Sequence, residues 1–163
     1  MMQVKKEATG FTLIEILLTV GLLAILLGLG TIVFGNFSRQ DQLNSTAEKI
    51  VSCLSEAQTR TVAGYSLGQA AAFNFGVHFN DSSYTIFPGT AFDPNDVRNQ
   101  RFELPATLEI KPIFLPLSNI VFEKITGEVR DYNPSQNYLI LTGKQSGKEK
   151  NIIINKLGVA KIE

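Results

Sequence analysis

The chain has 163 residues, enough for one domain and an appendage, and its 15 basic side chains balance 15 acidic ones. That balance excludes an overall field that would gather nucleic acid or anionic lipid. A single cysteine, Cys53, excludes an intrachain disulfide, so an exported domain must hold together by its core alone.

In chain order, a polar leader, MMQVKKEATG, precedes FTLIEILLTVGLLAILLGLGTIVF and then GNFSRQDQ. Between Phe11 and Ser38 the only charged side chain is Glu15. Ile16 to Phe34 are 19 uncharged residues, roughly 28 Å of helix, close to the thickness of a bilayer's hydrocarbon. Lys5 and Lys6 precede the run, and Arg39 and Asp41 are the first charges after it. The positive-inside bias therefore puts the N-terminus in the cytoplasm and the remainder outside. A secretory signal would have a shorter apolar run and a small-x-small cleavage site, which Phe34-Gly35-Asn36-Phe37 lacks. The plain alternative is an uncleaved signal anchor.

Gly10-Phe11-Thr12-Leu13-Ile14-Glu15 resembles the class III leader junction of type IV pilins and type II secretion pseudopilins. The resemblance implies cleavage after Gly10 by a prepilin peptidase on the cytoplasmic side, followed by N-methylation of Phe11. Glu15 would then be the fifth mature residue, with Lys5 and Lys6 the basic part of the leader. It implies further partners: neighbouring pilin or pseudopilin subunits, an inner-membrane assembly platform, and membrane lipid before assembly. Removing residues 1–10 would leave 13 basic against 14 acidic side chains, a balance that permits dense packing.

A carboxylate within a bilayer costs about 2.5–3.5 kcal/mol at mid-helix and less near an end. If the Phe11 ammonium of a neighbouring subunit meets Glu15, the acid becomes half of an ion pair, and only one helix stagger allows it. Local roles compete. Thr12-x-x-Glu15 fits a capping box, the acid suits the helix dipole, and an intrachain pair with the Phe11 amine is within reach.

Gly21, Ala24, Gly28, Thr31 and Gly35 recur at steps of three and four and form a small-residue stripe that would let helices approach closely. Glycine is also simply common in membrane helices. Each glycine weakens the helix by about 1 kcal/mol relative to alanine, and the resemblance implies loosening near Gly28 and Gly30 in a filament.

Leu43, Ala47, Ile50, Val51, Leu54, Ala57, Thr61 and Val62 continue the helical spacing, no proline occurs before Pro88, and Gly64 is a stop signal. One helix of about 53 residues, Phe11 to Ala63, is expected. Its apolar half spans 11–36 and its amphipathic half 37–64, with Cys53 a small buried filler beside Ile50 and Leu54.

From Tyr65 the period becomes two: Phe73, Phe75, Val77 and Phe79 alternate with polar residues or glycine, and Asn80 to Ser83 turns into Tyr84–Phe87. Further strands are expected at 102–110, 119–125, 137–142, 150–155 and 159–162. The fold expected is α+β and pilin-like: one long N-terminal helix whose second half packs on an antiparallel sheet formed by a head, residues 65–163. The runs Ile120-Val-Phe122, Gly127-Glu-Val, Tyr138–Leu141 and Asn151 to Gly158 are similar to the GspH/FimT group of minor pseudopilins and pilins. The chain departs in having no tryptophan, and the missing cysteine pair argues against disulfide-closed major pilins.

No catalytic constellation emerges. His78 is the only histidine and alternation makes it solvent-facing; with no second histidine or cysteine cluster, a zinc or iron site cannot be assembled. Asp93, Asn95 and Asp96 could offer oxygens to calcium, but DPND reads equally as a proline turn without EF-hand spacing. Gly143 to Lys148 fails as a phosphate loop on glycine spacing and on Glu149, and reads as a hairpin tip. Lys144, Lys148 and Lys150 form a basic spot without stacking aromatics, which disfavours nucleic acid. The expectation is no enzyme, no cofactor and no metal. The chain reads as a filament subunit in the cytoplasmic membrane with its head outside. The alternative is a signal-anchored binding module, for DNA uptake or adhesion, that does not polymerise.

Overall fold

The computed structural model describes residues 10–68, 72–112 and 118–163, the side chains of 29–39 and Pro112 excepted. Lys5 and Lys6 of the leader, and the surroundings of Thr31 and Gly35 in the stripe, lie outside the described residues. The chain divides into two units, Met1–Ser38 and Arg39–Glu163, two residues beyond the boundary expected at 36.

Helix α1 runs Leu13–Val62, 50 residues. Thr12 starts it: its carbonyl accepts the Glu15 and Ile16 N–H groups at 3.1 and 3.2 Å. Gly64 stops it with φ of 70°. The Tyr65 N–H reaches back to the Arg60 carbonyl at 3.0 Å, and the Gly64 N–H to the Thr61 carbonyl at 3.2 Å. That paired closure needs a left-handed residue between its donors, and glycine takes that conformation without a Cβ penalty. Among the described residues no helix is long and apolar enough to cross a membrane.

Among the described residues eight strands follow α1: β1 Phe75–Asn80, β2 Ser83–Pro88, β3 Gln100–Glu103, β4 Leu108–Pro112, β5 Asn119–Val121, β6 Tyr138–Gly143, β7 Glu149–Ile154 and β8 Ala160–Ile162. They form two antiparallel sheets, in the orders β3-β2-β1-β5 and β4-β6-β7-β8. The molecule is therefore α+β, but the single sheet expected is two. The stretch 102–110, read as one strand, is divided by Pro105. Leu104 still donates to the Ser82 carbonyl at 2.8 Å in the first sheet, and Leu108 then turns on Pro105 and pairs with Gly143 in the second. Proline lacks the N–H a continuous ladder needs. The strand expected at 119–125 ends at Val121, because Glu123 to Gly127 closes on itself.

Leu43, Ala47, Ile50, Leu54 and Ala57 form the buried stripe of α1, at steps of three and four. They share one core with Phe75, Val77 and Phe79 of β1, Ile110 of β4, Leu141 of β6 and Ile152 of β7. Both sheets thus contribute to the surface that buries the helix, and each large side chain so buried is worth about 1.5–3 kcal/mol. Val62, expected on this stripe, is instead half exposed at the last position of the helix.

Candidate functional site

At the start of α1 the Thr12 and Glu15 side chains cap one another. The Glu15 N–H donates to Thr12 Oγ1 at 3.3 Å, and the Thr12 N–H and hydroxyl approach Glu15 Oε2 at 3.4 Å each. The capping box is thus formed, though its contacts sit at the long end of hydrogen bonding. Every described side chain from Phe11 to Leu27 is exposed, including Leu13, Leu18 and Leu27 at 78, 70 and 69%. Open space surrounds the positions a Cβ would take at Gly21 and Gly28. Glu15, Gly21, Ala24 and Gly28 therefore lie on one exposed stretch of α1, with Phe11 just before it.

The other half of α1 is locked into the head by polar side chains that periodicity does not single out. Gln58 Nε2 donates to the Gly127 carbonyl at 2.8 Å and to the Leu157 carbonyl at 2.6 Å. One amide thus ties the helix to two turns whose glycines, Gly127 and Gly158, have φ of 69° and 82°. Within the head, Asn74 just before β1 donates from Nδ2 to the Phe122 carbonyl at 2.8 Å. A glutamine on the helix, opposite two glycine turns distant in sequence, carries no pattern by which it could have been found.

Cys53 is buried in the core of the head, as its spacing suggested. Burial pushes its thiol up to about 12, with Glu56 adding in the same direction and Arg60 opposing. That thiol is inert while the head is folded.

The remaining candidates are drawn into structural contacts. His78 is partly rather than fully open to solvent: its ring stacks on Phe92 at 4.0 Å, and its Nδ1 lies 2.6 Å from Asn119 Oδ1. Phe92, from the loop after β2, thus shields part of the face opposite the core phenylalanines, which period-two reasoning does not see. Asp96 takes a forked contact from Arg98, at 2.8 Å from Nε and 2.6 Å from Nη2, and Arg98 lies over the Phe73 ring at 4.8 Å. The Arg98 hydrogen bonds hold the Asp96 carboxyl down at about 2. Asp93 Oδ1 accepts the Asn95 N–H at 2.9 Å, closing a turn. Among the described residues no group of three His, Cys, Asp or Glu could hold a metal. Gly143 to Lys148 forms the β6–β7 hairpin tip, where Lys148 Nζ bonds Gln40 of α1.

One apolar cleft opens between the sheets, with Phe79, Ile120, Val129, Leu139 and Ile154 in its floor. Its free volume is about 20 Å³, room for one or two water- or methyl-sized groups.

Compared with protein-family models, curated proteins and solved structures, the chain matches none. The functional reading therefore rests on the helix and its head.

Proposed function

We propose that the chain is a non-enzymatic filament subunit of the type IV pilin and type II pseudopilin kind, a minor subunit of the GspH/FimT group. In this reading prepilin peptidase removes residues 1–10, Phe11 becomes the methylated terminus, and the apolar half of α1 waits in the cytoplasmic membrane before packing among neighbouring subunits. Glu15 would pair with the Phe11 ammonium of an adjoining copy. The long contacts from Thr12 are cheap to exchange for a charge-assisted pair in a low-dielectric bundle. Gly21, Ala24 and Gly28 would allow the helices to close up.

The observation that carries the reading is the division of labour along one helix. Up to Leu27 its described side chains lie exposed around a lone acid, while from Leu43 the same helix supplies one wall of the core of the head. Such an apolar surface, about four turns long, is costly in water unless lipid or like helices cover it.

Intact mass after co-expression with a prepilin peptidase tests it. Loss of residues 1–10 and gain of one methyl group is the expected result. An uncut chain, inserted in membranes but never polymerising, would favour the signal-anchored binding module. Glu15→Ala adds a second test: normal membrane insertion without filaments is expected, and normal filaments would reduce Glu15 to its capping role.

A further inference from the structure

We infer that β3 is a dimerisation edge: it pairs antiparallel with β3 of a second copy of this chain, with Phe102 on the twofold axis and Arg101 opposite the partner's Glu103. β3 is an end strand of the β3-β2-β1-β5 sheet, and all its residues, Gln100–Glu103, are exposed. The Leu104 N–H donates to the Ser82 carbonyl at 2.8 Å, and the register runs on through Tyr84↔Phe102 and Ile86↔Gln100. Backbone groups alternate in direction along an antiparallel strand. Phe102 and Gln100 therefore turn theirs to β2, while Arg101 and Glu103 turn theirs outward. An open row of N–H and C=O groups is a template for another strand.

The outward groups and the charges select the same register, and it is a register with the strand's own copy. Pairing centred on Phe102 joins the outward groups of each Arg101 to those of the partner's Glu103, and unlike charges directly opposite one another are favourable. Sliding the partner by two residues either way sets Arg101 on Arg101 or Glu103 on Glu103, which is unfavourable. A slip of one residue turns the side chains to the wrong faces and misses the outward groups. Within one chain Arg101 Nε lies 2.6 Å from Glu103 Oε1, so both side chains share a face, and in the dimer four charges alternate around the axis. Phe102 stacks on Tyr84 at 5.2 Å on the other face and is 37% exposed. Its own copy beside it would cover that remaining apolar surface.

Among the described residues the other sheet edges do not offer this. On the outer side of β4 the Ile110 N–H already donates to the Asp81 carbonyl at 3.0 Å, and on that of β5 the Val121 carbonyl accepts the Arg130 N–H at 2.8 Å. β8 has only 3 residues, and a copy aligned along its full length sets Lys161 against Lys161. A self-complementary contact of the β3 kind closes on itself as a dimer. It involves the head alone and needs neither cleavage after Gly10 nor pairing of Glu15. Its failure therefore leaves the filament reading standing, and failure of that reading leaves it standing in turn.

The test is sedimentation of the full chain in detergent over a range of concentrations, where a monomer–dimer equilibrium is expected. Arg101→Glu and Glu103→Arg each set like charges opposite one another and should each weaken the dimer about tenfold. Both side chains are well exposed, at 58 and 63%, so the fold should tolerate either change. Mixing the two variants should restore association, because unlike charges then face each other at every pair, and the chain carrying both exchanges should dimerise as the unmutated one does. Phe102→Cys gives a second readout. On the axis the two Cα atoms would lie about 4.5 Å apart, within reach of a disulfide. Mild oxidation should yield several-fold more symmetric dimer than from Ile125→Cys, a control 88% exposed in the turn after β5, with buried Cys53 adding little background. A monomer at every concentration, undiminished association of either charge variant, a mixture no tighter than its components, or equal crosslinking of Phe102→Cys and Ile125→Cys would each overturn the proposal.

Discussion

Thr61 Oγ1 lies 2.9 Å from the backbone nitrogen of Phe75 and accepts its N–H, while donating its own proton to the Ala57 carbonyl at 2.9 Å. A hydroxyl in the last turn of the helix thus supplies the partner for the first N–H of β1, where the Thr61 side chain is 1% exposed. Thr61→Val keeps the shape and removes the acceptor, stranding a buried donor. The expected loss is about 1–3 kcal/mol in urea unfolding of the full chain. Thr61→Ser, which keeps the oxygen, should recover most of it, and equal losses for both would show that the methyl matters more than the bond.

The Gln58 clamp leads to a sharper expectation. A Cβ at Gly158 would meet the Gly127 carbonyl oxygen and the Phe122 ring at 2.9 Å each, besides the Gln58 amide, on a backbone with φ of 82°. Gly158→Ala should therefore cost at least about 2 kcal/mol from strain and crowding together. Gln58→Met, which removes both hydrogen bonds but keeps the bulk, should cost about 1–3 kcal/mol. Because the two sites touch, their effects should not add. Additive losses in a double-mutant cycle would mean that the clamp and the turn act separately.

How much of this could be read beforehand differs along the chain. The helix came within two residues at its start and one at its end, because Thr12, Gly64 and an unbroken period are local signals. Most strands were placed from alternation, but alternation states which face is buried and not which strand lies alongside. One sheet was therefore expected where Pro105 divides two. The capping pair of Thr12 and Glu15 was legible because its members are three residues apart. The Gln58 clamp was not, since Gln58 and Leu157 are 99 positions apart.

Acid should act on the head through the Asp96–Arg98 fork. The folded carboxyl sits at about 2 against a reference of 3.8, chiefly through hydrogen bonds from Arg98. A depressed carboxylate contributes stability that is present above the unfolded value and lost as pH falls through the folded one. The loss should therefore run from about pH 4 down to 2. The pair is at the surface, so the effect should be modest and shrink with added salt. Asp96→Asn should flatten this part of the stability profile measured by urea unfolding against pH. An unchanged slope would mean that Arg98 is held by the Phe73 ring alone.

Cys53 shows the reverse sign and reports on the core directly. Its thiol is raised from 9.0 to about 12 by burial, so the unfolded chain releases this proton at a lower pH than the folded one does. Its contribution to stability is complete below about pH 9 and falls away as pH rises towards 12. In the folded chain at neutral pH, a thiol-specific disulfide reagent should react only through opening of the core. Its rate should then be independent of reagent at high concentration, or scale with the unfolded population at low concentration. Ile50→Ala, by leaving a cavity beside this side chain, should speed labelling at low reagent about tenfold for every 1.4 kcal/mol of its cost of about 2–5 kcal/mol. Fast labelling of the unmutated chain, in step with reagent concentration and insensitive to Ile50→Ala, would mean that Cys53 lies open to solvent.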